Sequence, residues 1–197
     1  MSTTQIILLA LGAVLLFWVV GAYNRMVRMR NEIGNAFAQI DVQLKRRHDL
    51  IPNLVEVARK YLEHERETLE RVTAARAQAM AATDMVKSHP NQSGPIKSLG
   101  LAEGVLGSAL ARFQAVVESY PELKADQQMA DLREELIHTE NKVSFSRQLF
   151  NDVTLDYNNA IHQFPTNLLA GLFSFQTAEM LQSTSSEAER APVKVSF

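Results

Sequence analysis

The sequence predicts an all-α fold, in which a single N-terminal transmembrane helix continues into an antiparallel helical bundle of about four long helices. Three observations favour this prediction. The chain begins with an apolar run that carries no charge, it has only 8 Gly and 6 Pro, and its apolar residues recur in steps of three and four. Sustained alternation with a period of two, which is typical of half-buried strands, is not seen.

The composition excludes several classes of protein. The chain has 197 residues, of which 46% are hydrophobic, so it can bury a core. Its formal charge is only −2, which argues against a nucleic-acid partner bound through phosphate neutralisation. Cysteine is absent, which excludes disulfides and thiolate chemistry.

The predicted transmembrane helix covers residues 6–23. The stretch from Ile6 to Ala22 has no charged side chain, and Trp18 and Tyr23 suit a membrane interface. A cleaved signal peptide is the alternative. It is disfavoured because residues 1–5 contain no Lys or Arg and the apolar run is too long.

Basic residues follow the apolar run but do not precede it. Arg25, Arg28 and Arg30 are candidates for facing anionic lipid. The positive-inside rule then predicts a single-pass protein with its N-terminus outside and its domain in the cytoplasm, a topology that in a bacterium belongs to the inner membrane. An extracytoplasmic domain stays open, because so short a leader offers few charges to compare.

We expect four parts along the chain. Residues 1–5 form a short N-terminal tail, residues 6–23 the transmembrane helix, residues 24–182 the helical bundle and residues 183–197 a flexible tail rich in Ser and mixed charge. The first helix should extend to about His48 and break near 48–52 at Pro52. Asp49 is the expected cap of the next helix, which should run from about Ile51 to Ala82.

The second half of the bundle is expected after one long loop at residues 83–98, where Pro90, Gly94 and Pro95 occur. A third helix should end at Pro121, and a fourth should run from about residue 126 to 163 and stop before Pro165. The apolar segment 167–175 then either packs on its own domain or docks on another protomer or the membrane.

Few residues suggest chemistry. Glu135 and His138 form the one Glu-x-x-His motif, but a di-iron site needs two such motifs and two further Glu residues. Glu65 falls in an apolar heptad seam of the second helix, where a polar residue commonly selects register or oligomeric state. We therefore expect no catalytic, cofactor-binding or metal site.

The basic cluster at residues 45–48 has two interpretations. It can mark a helix C-terminus, where the dipole favours cations, or it can contact lipid or the acids of a neighbouring subunit. The candidate inter-subunit residues are Lys45, Arg46, Arg47, Glu65, Leu168, Leu169, Leu172 and Phe173.

Two long strings resemble the signature blocks of the bacterial LemA family. They are AQIDVQLKRRHDLIPNLVEVARKYLEHE at residues 38–65 and ENKVSFSRQLFNDVTLDYNNAIHQFPTNLLAGLF at residues 140–173. The resemblance extends from Tyr23 to Phe173. It implies an anchored helical bundle with no established enzymatic activity, an association with membrane organisation that includes magnetosome membranes, and genes near those of membrane proteases or TPM-domain proteins.

The sequence thus predicts a non-enzymatic, membrane-anchored scaffold that self-assembles through bundle faces and organises or shapes the bacterial membrane. The alternative is an adaptor that presents partners or clients to a membrane protease or signalling complex. The expected partners are further copies of the chain and membrane lipids, and the resemblance adds a membrane protease or a TPM-domain protein.

Overall fold

All regular structure in the residues that the computed structural model describes, 2–90 and 92–181, is helical. The predicted all-α bundle is confirmed. The helices are α1 (Thr3–Arg59), α2 (Arg66–Ser88), α3 (Ser93–Ser119), α4 (Pro121–Lys124), α5 (Gln127–His162) and α6 (Thr166–Leu172), with a 3₁₀ turn at Glu63–Glu65. The predicted tail at 183–197 lies outside the described residues.

Helix α1 is continuous over 57 residues and includes Pro52. The predicted break near 48–52, with Asp49 as a cap, is therefore wrong. Proline has no N–H, so the carbonyl of His48, four residues earlier, loses its usual helical partner. Arg76 of α2 replaces that partner, because its Nε donates a hydrogen bond to the His48 oxygen at 2.6 Å. The helix consequently continues to Arg59.

The turn between α1 and α2 lies about ten residues later than expected, at residues 60–65. Glu65 lies in this turn and not in a heptad seam, where the sequence pattern had placed it. The second helix also continues past Ala82 to Ser88, so the long loop expected at 83–98 is wrong. Gly94 and Pro95 instead occupy the first turn of α3. The N–H groups of a first turn have no acceptor within the helix, so a proline there costs no hydrogen bond.

The predicted end of the third helix and the predicted limits of the fourth are confirmed. Helix α3 ends at Ser119, immediately before Tyr120 and Pro121. Asp126 caps α5 by accepting a hydrogen bond from the backbone N–H of Met129 at 2.9 Å. Helix α5 ends at His162, before Pro165.

The core consists of two clusters along the bundle. The first joins α1 to α5, α6 and the ends of α2 and α3 that lie beside them, and it is close to the apolar start of α1. The second joins the last turns of α1 to α2, α3, α4 and the start of α5. Large buried members of the first are Met26, Ile33, Phe37, Ile40, Phe150 and Tyr157, and of the second Leu54, Leu69, Val72, Phe113, Leu123 and Met129.

An extended segment follows α6, and we call residues 175–181 the strap. Ser174 turns the chain with a φ of 55°, after which the strap runs along α5 in the opposite direction. The side-chain amide of Asn158 donates to the carbonyl of Ala178 and accepts from its N–H, both at 2.9 Å. Asn151 makes the same pair of bonds with Leu181, also at 2.9 Å. Each asparagine side chain thus pairs with both backbone groups of one strap residue, as a neighbouring β-strand would.

Candidate functional site

The first part of α1 is an apolar helical segment that the bundle does not cover. Its side chains from Ile6 to Trp18 are exposed. Among the described residues, α1 is the one helix long and apolar enough to cross a membrane, and none of its most apolar 18-residue window is buried. Exposed apolar surface of this extent has to be covered by something other than water, and a bilayer fits it.

The near end of the bundle packs directly on the end of this apolar segment. Val19 and Ala22 contact the first core cluster. The ring of Tyr23 lies edge-on to that of Phe173 with 4.9 Å between centroids, and 5.8 Å from that of Phe175. Helix α6 and the start of the strap therefore lie at the level where the apolar segment ends.

The three arginines predicted to face lipid follow this level along α1. Arg25, Arg28 and Arg30 are all exposed. Arg25 lines a groove with Trp18 that is closed on the other side by Gln163 and Thr166. The guanidinium of Arg30 lies 5.5 Å from the ring centroid of Phe175, within the range of a cation–π contact. Their contact with lipid stays a prediction.

A buried ion network lies farther along α1. Arg47 Nη1 contacts Glu103 Oε2 of α3 at 2.7 Å, and His48 Nε2 contacts Glu103 Oε1 at 3.0 Å. Arg47 Nε is 3.1 Å from Glu140 Oε2 of α5, a distance that makes an ion pair although the atoms are not aligned for a hydrogen bond. The network ties three helices together, with Arg47, His48 and Glu103 largely buried and Glu140 half exposed at its edge.

This network changes the interpretation of the basic cluster at 45–48. A helix C-terminus is wrong, because α1 continues to Arg59. Arg47 and His48 are buried and face carboxylates of the same chain, so the need for an outside partner disappears for these two. Lys45 is exposed, and Arg46 Nη2 lies 2.7 Å from Glu135 Oε1 on the surface. Their inter-subunit contacts stay a prediction.

A cavity of about 60 Å³ adjoins the ion network. Arg47, Glu103, Glu140 and Ser144 contribute to its lining, and Leu181 of the strap closes one side. Arg47 in this lining is already paired with Glu103 and Glu140, so these contacts stabilise the junction of α1, α3 and α5.

The remaining candidates are surface groups. Glu65 accepts a hydrogen bond from the Thr68 hydroxyl at 3.4 Å, and His138 is exposed. In the part of the chain that the structure describes, no three His, Asp or Glu residues are grouped so that they could hold a metal ion.

The apolar candidates near the end of α5 divide between two sides of α6. Leu169 is buried against the first core cluster. Phe164, Leu168, Leu172 and Phe173 are exposed, and we call these four residues the α6 patch. Segment 167–175 therefore packs partly on its own domain and leaves an apolar face uncovered.

Comparison with known proteins identifies the family. The model of the LemA family matches residues 36–197, which is most of the chain. The chain belongs to the LemA family. The resemblance to this family predicted from the sequence is thereby confirmed.

Curated relatives are similar over most of the chain. Protein LemA of Metamycoplasma hominis is 27% identical over 180 residues, covering 91% of this chain and 77% of the relative. Magnetosome protein MamQ 2 of Paramagnetospirillum magneticum is 26% identical over 175 residues, covering 81% of this chain. Magnetosome protein MamQ of Magnetospirillum gryphiswaldense is 26% identical over 172 residues. The match spans 64% and 63% of these two longer magnetosome proteins.

Family membership and the uncovered apolar segment together make the chain a membrane-associated LemA-family protein with one N-terminal apolar helix. The names of the family and of these relatives are not enzyme names.

Proposed function

We propose that this LemA-family protein is a non-enzymatic scaffold, in which anchored bundles associate with one another and organise or shape the membrane. The observation that carries the proposal is the continuity of α1. The helix passes from the apolar segment into both core clusters without a linker, so any contact between bundles also sets the positions of their membrane segments. Two relatives are named magnetosome proteins, which fits a function in membrane organisation.

A face for self-association is available on the outer side of α5. The interior stripe of this helix is used within the bundle, but residues 137, 141, 145, 148, 152 and 155 form a second row in steps of three and four, and all are exposed. Ile137, Phe145 and Leu155 make this outer row partly apolar. Arg46, bonded to Glu135, places a cation beside it. Such a row is suited to pairing with a second helix of the same kind.

Mass photometry of the full-length protein in detergent tests this proposal. The wild type should form oligomers, and Phe145→Glu should shift the population toward monomers because it places a charge in the outer row. Leu101→Glu is the matched control, since Leu101 is as exposed as Phe145 but lies on α3. A wild type that stays monomeric at every concentration contradicts self-association.

Crosslinking in cells separates the scaffold from the adaptor. A scaffold should be recovered mainly with itself. Recovery of one distinct protein, such as a membrane protease or a TPM-domain protein, in place of further copies would favour the adaptor.

We also propose that the bundle is cytoplasmic and the N-terminus outside, at the inner membrane. The support is the position of Arg25, Arg28 and Arg30, exposed just beyond the apolar segment. A reporter fused after Gln182 should be active in the cytoplasm. Activity on the outer side alone would reverse this topology.

A further inference from the structure

The α6 patch is an apolar surface on an amphipathic helix. The inner side of α6 is formed by Leu169 and Ala170, which are buried in the first core cluster. On the outer side, Leu168 and Leu172 are one turn apart and are 66% and 74% exposed. Phe164 and Phe173 extend this surface at both ends of α6. The patch is therefore held in place by a packed inner face, and Leu168, Leu172 and Phe164 are largely exposed while Phe173 also contacts Tyr23.

The patch is held at a fixed level relative to the apolar segment of α1. Phe173 contacts the ring of Tyr23, the residue that follows the apolar stretch Ile6–Ala22. Thr166, at the start of α6, lines the same groove as Trp18 and Arg25. Both ends of α6 are thus placed beside residues 18–25 of α1, and not farther along the bundle.

The length of the apolar run places this level at the bilayer. Seventeen helical residues rise about 26 Å at 1.5 Å per residue, whereas the hydrocarbon core is about 30 Å thick. The run from Ile6 to Ala22 is therefore slightly shorter than the hydrocarbon core, so the residue that follows it, Tyr23, does not extend beyond the membrane. Residues at the level of Tyr23 lie at the boundary between hydrocarbon and head groups.

The chemistry around the patch matches that boundary. Aromatic rings concentrate at membrane interfaces, and those of Tyr23, Phe173 and Phe175 lie together here. Trp18 lines the groove beside Thr166 at the start of α6. Arg30 approaches Phe175 from the side away from the apolar run, so a cation adjoins the rings on the side where phosphate groups would lie.

From these contacts we infer that the α6 patch inserts into the interfacial layer of a phospholipid bilayer, forming a second membrane contact beside the transmembrane helix. The inference rests on α1 crossing the bilayer and is independent of self-association. A single tilted helix can rotate about its own axis, and this rotation changes which side of the attached bundle leans toward the membrane. With α6 inserted as well, the same side of the bundle always leans toward the lipid. The outer α5 row then keeps one orientation to the membrane plane.

Fluorescent labels on single cysteines test the insertion in the full-length protein. The chain has no cysteine of its own, so Leu172→Cys and Leu168→Cys can each carry one environment-sensitive nitrobenzoxadiazole label. Leu101→Cys is the matched control, because Leu101 is the same residue type and is also 74% exposed, but it lies on α3 beside the network of Glu103 and Arg47. The protein is reconstituted in vesicles of phosphatidylethanolamine and phosphatidylglycerol that contain a doxyl-labelled lipid as quencher.

Labels at residues 172 and 168 should emit at shorter wavelength and lose roughly half of their fluorescence to the lipid quencher, because interfacial helices bury their apolar face by about 5–10 Å. The label at residue 101 should be quenched by aqueous iodide and unaffected by the lipid quencher. Circular dichroism of each labelled variant checks that the fold is retained.

Two results would overturn the insertion. In the first, the labels at 172 and 168 behave as the label at 101 does. In the second, they are shielded from both quenchers and lose this shielding on dilution with lipid, which means that a second copy of the chain covers the patch. The oligomeric state from mass photometry is measured separately, so failure of the insertion and failure of the scaffold can be told apart.

Discussion

At the scale of single residues, the carbonyl oxygen of His48 is the group that α1 has to satisfy in order to continue through Pro52. Pro52 removes the donor that this oxygen would have within the helix, and Arg76 supplies another from α2. The sequence shows the proline but not the replacement, since Arg76 is far along the chain. The break predicted near 48–52 was wrong for that reason.

Substitution of Arg76 should reveal this dependence. Arg76→Met leaves the His48 carbonyl without a partner and should lower the free energy of unfolding by about 2 kcal/mol. In a Pro52→Ala background residue 52 regains its N–H, so the same substitution should cost about 1 kcal/mol less. Urea unfolding of the detergent-solubilised protein, followed by circular dichroism, measures both. Equal costs in the two backgrounds would show that Arg76 acts by another route.

Replacing Glu103 should destabilise the fold more than replacing Glu140, the other carboxylate of the ion network. Its side chain is 11% exposed and contacts both Arg47 and His48, so Glu103→Gln leaves a buried cation poorly compensated and should cost about 3 kcal/mol. Glu140 is 53% exposed, and Glu140→Gln should cost less than about 1 kcal/mol because solvent screens its charge. The same unfolding measurement ranks the two variants. A larger loss for Glu140→Gln would contradict this account.

The sequence indicated that residues 45–48 form a basic cluster with charged partners, but it did not indicate which of them are buried. Helical periodicity assigns a side chain to a face, and a polar residue on an apolar face can be read either as a surface contact or as one half of a buried pair. Arg47 became a buried partner because Glu103 and Glu140 lie opposite it. That information depends on the packing of three helices.

At the scale of secondary structure elements, the strap is the feature that the sequence did not predict. The residues that indicate it in the sequence are Asn151 and Asn158, which bind its backbone and are seven residues apart on α5. Seven helical residues rise about 10.5 Å, and the three residues from Ala178 to Leu181 span about 10 Å when extended. The two asparagines therefore match the strap, but they can be recognised only once its course is known. The long helices were predictable, because their apolar stripes are long and regular.

Removing one asparagine should release the strap. Asn158→Ala deletes both hydrogen bonds to Ala178, so the amide of Ala178 should exchange with solvent at least about tenfold faster, which corresponds to roughly 1.4 kcal/mol. Hydrogen exchange read by mass spectrometry or NMR measures the change. Asn159→Ala is the control, since Asn159 is exposed on the same helix. Unchanged exchange in Asn158→Ala would show that apolar contacts alone hold the strap.

The contact between the turn that follows α1 and the start of α5 should weaken in acid. Asp126 caps α5 through the N–H of Met129 and accepts a hydrogen bond from the Tyr61 hydroxyl at 3.0 Å. These two bonds, the backbone one first, lower the pKa of Asp126 below its usual 3.8. Its stabilisation is therefore complete above pH 3.8 and is lost as the pH falls through the lower folded-state pKa.

Urea unfolding of wild type and Asp126→Asn over a pH series checks this dependence. The wild type should lose more stability than the variant as the pH is lowered below 3.8. Identical pH profiles would mean that the Asp126 carboxylate contributes no stabilisation. Far-UV circular dichroism at neutral pH is the control for the fold of the variant.

At the scale of the whole molecule, the apolar segment and the bundle should move as one body. Spin labels on cysteines at Leu15 and Val42 should lie about 40 Å apart, and labels at Leu15 and Asn53 about 57 Å, as a straight helix requires. All three positions are exposed on α1. Pulsed electron paramagnetic resonance should give a narrow distance distribution for both pairs. A broad distribution for both would place a hinge before residue 42, and one for the second pair alone would place it between residues 42 and 53.

The pairing of α1 with α5 also determines the order in which the helices can pack during synthesis. Phe37 of α1 packs edge-on against Phe150 of α5, with 6.2 Å between ring centroids. A ribosome that adds 5–20 residues per second needs on the order of ten seconds to make the chain between them. Helices α2 and α3 are neighbours in sequence and can pair during that interval. The apolar stripe of α1 has no α5 to pack against until that helix has been made, so the first core cluster closes only after α5 is synthesised.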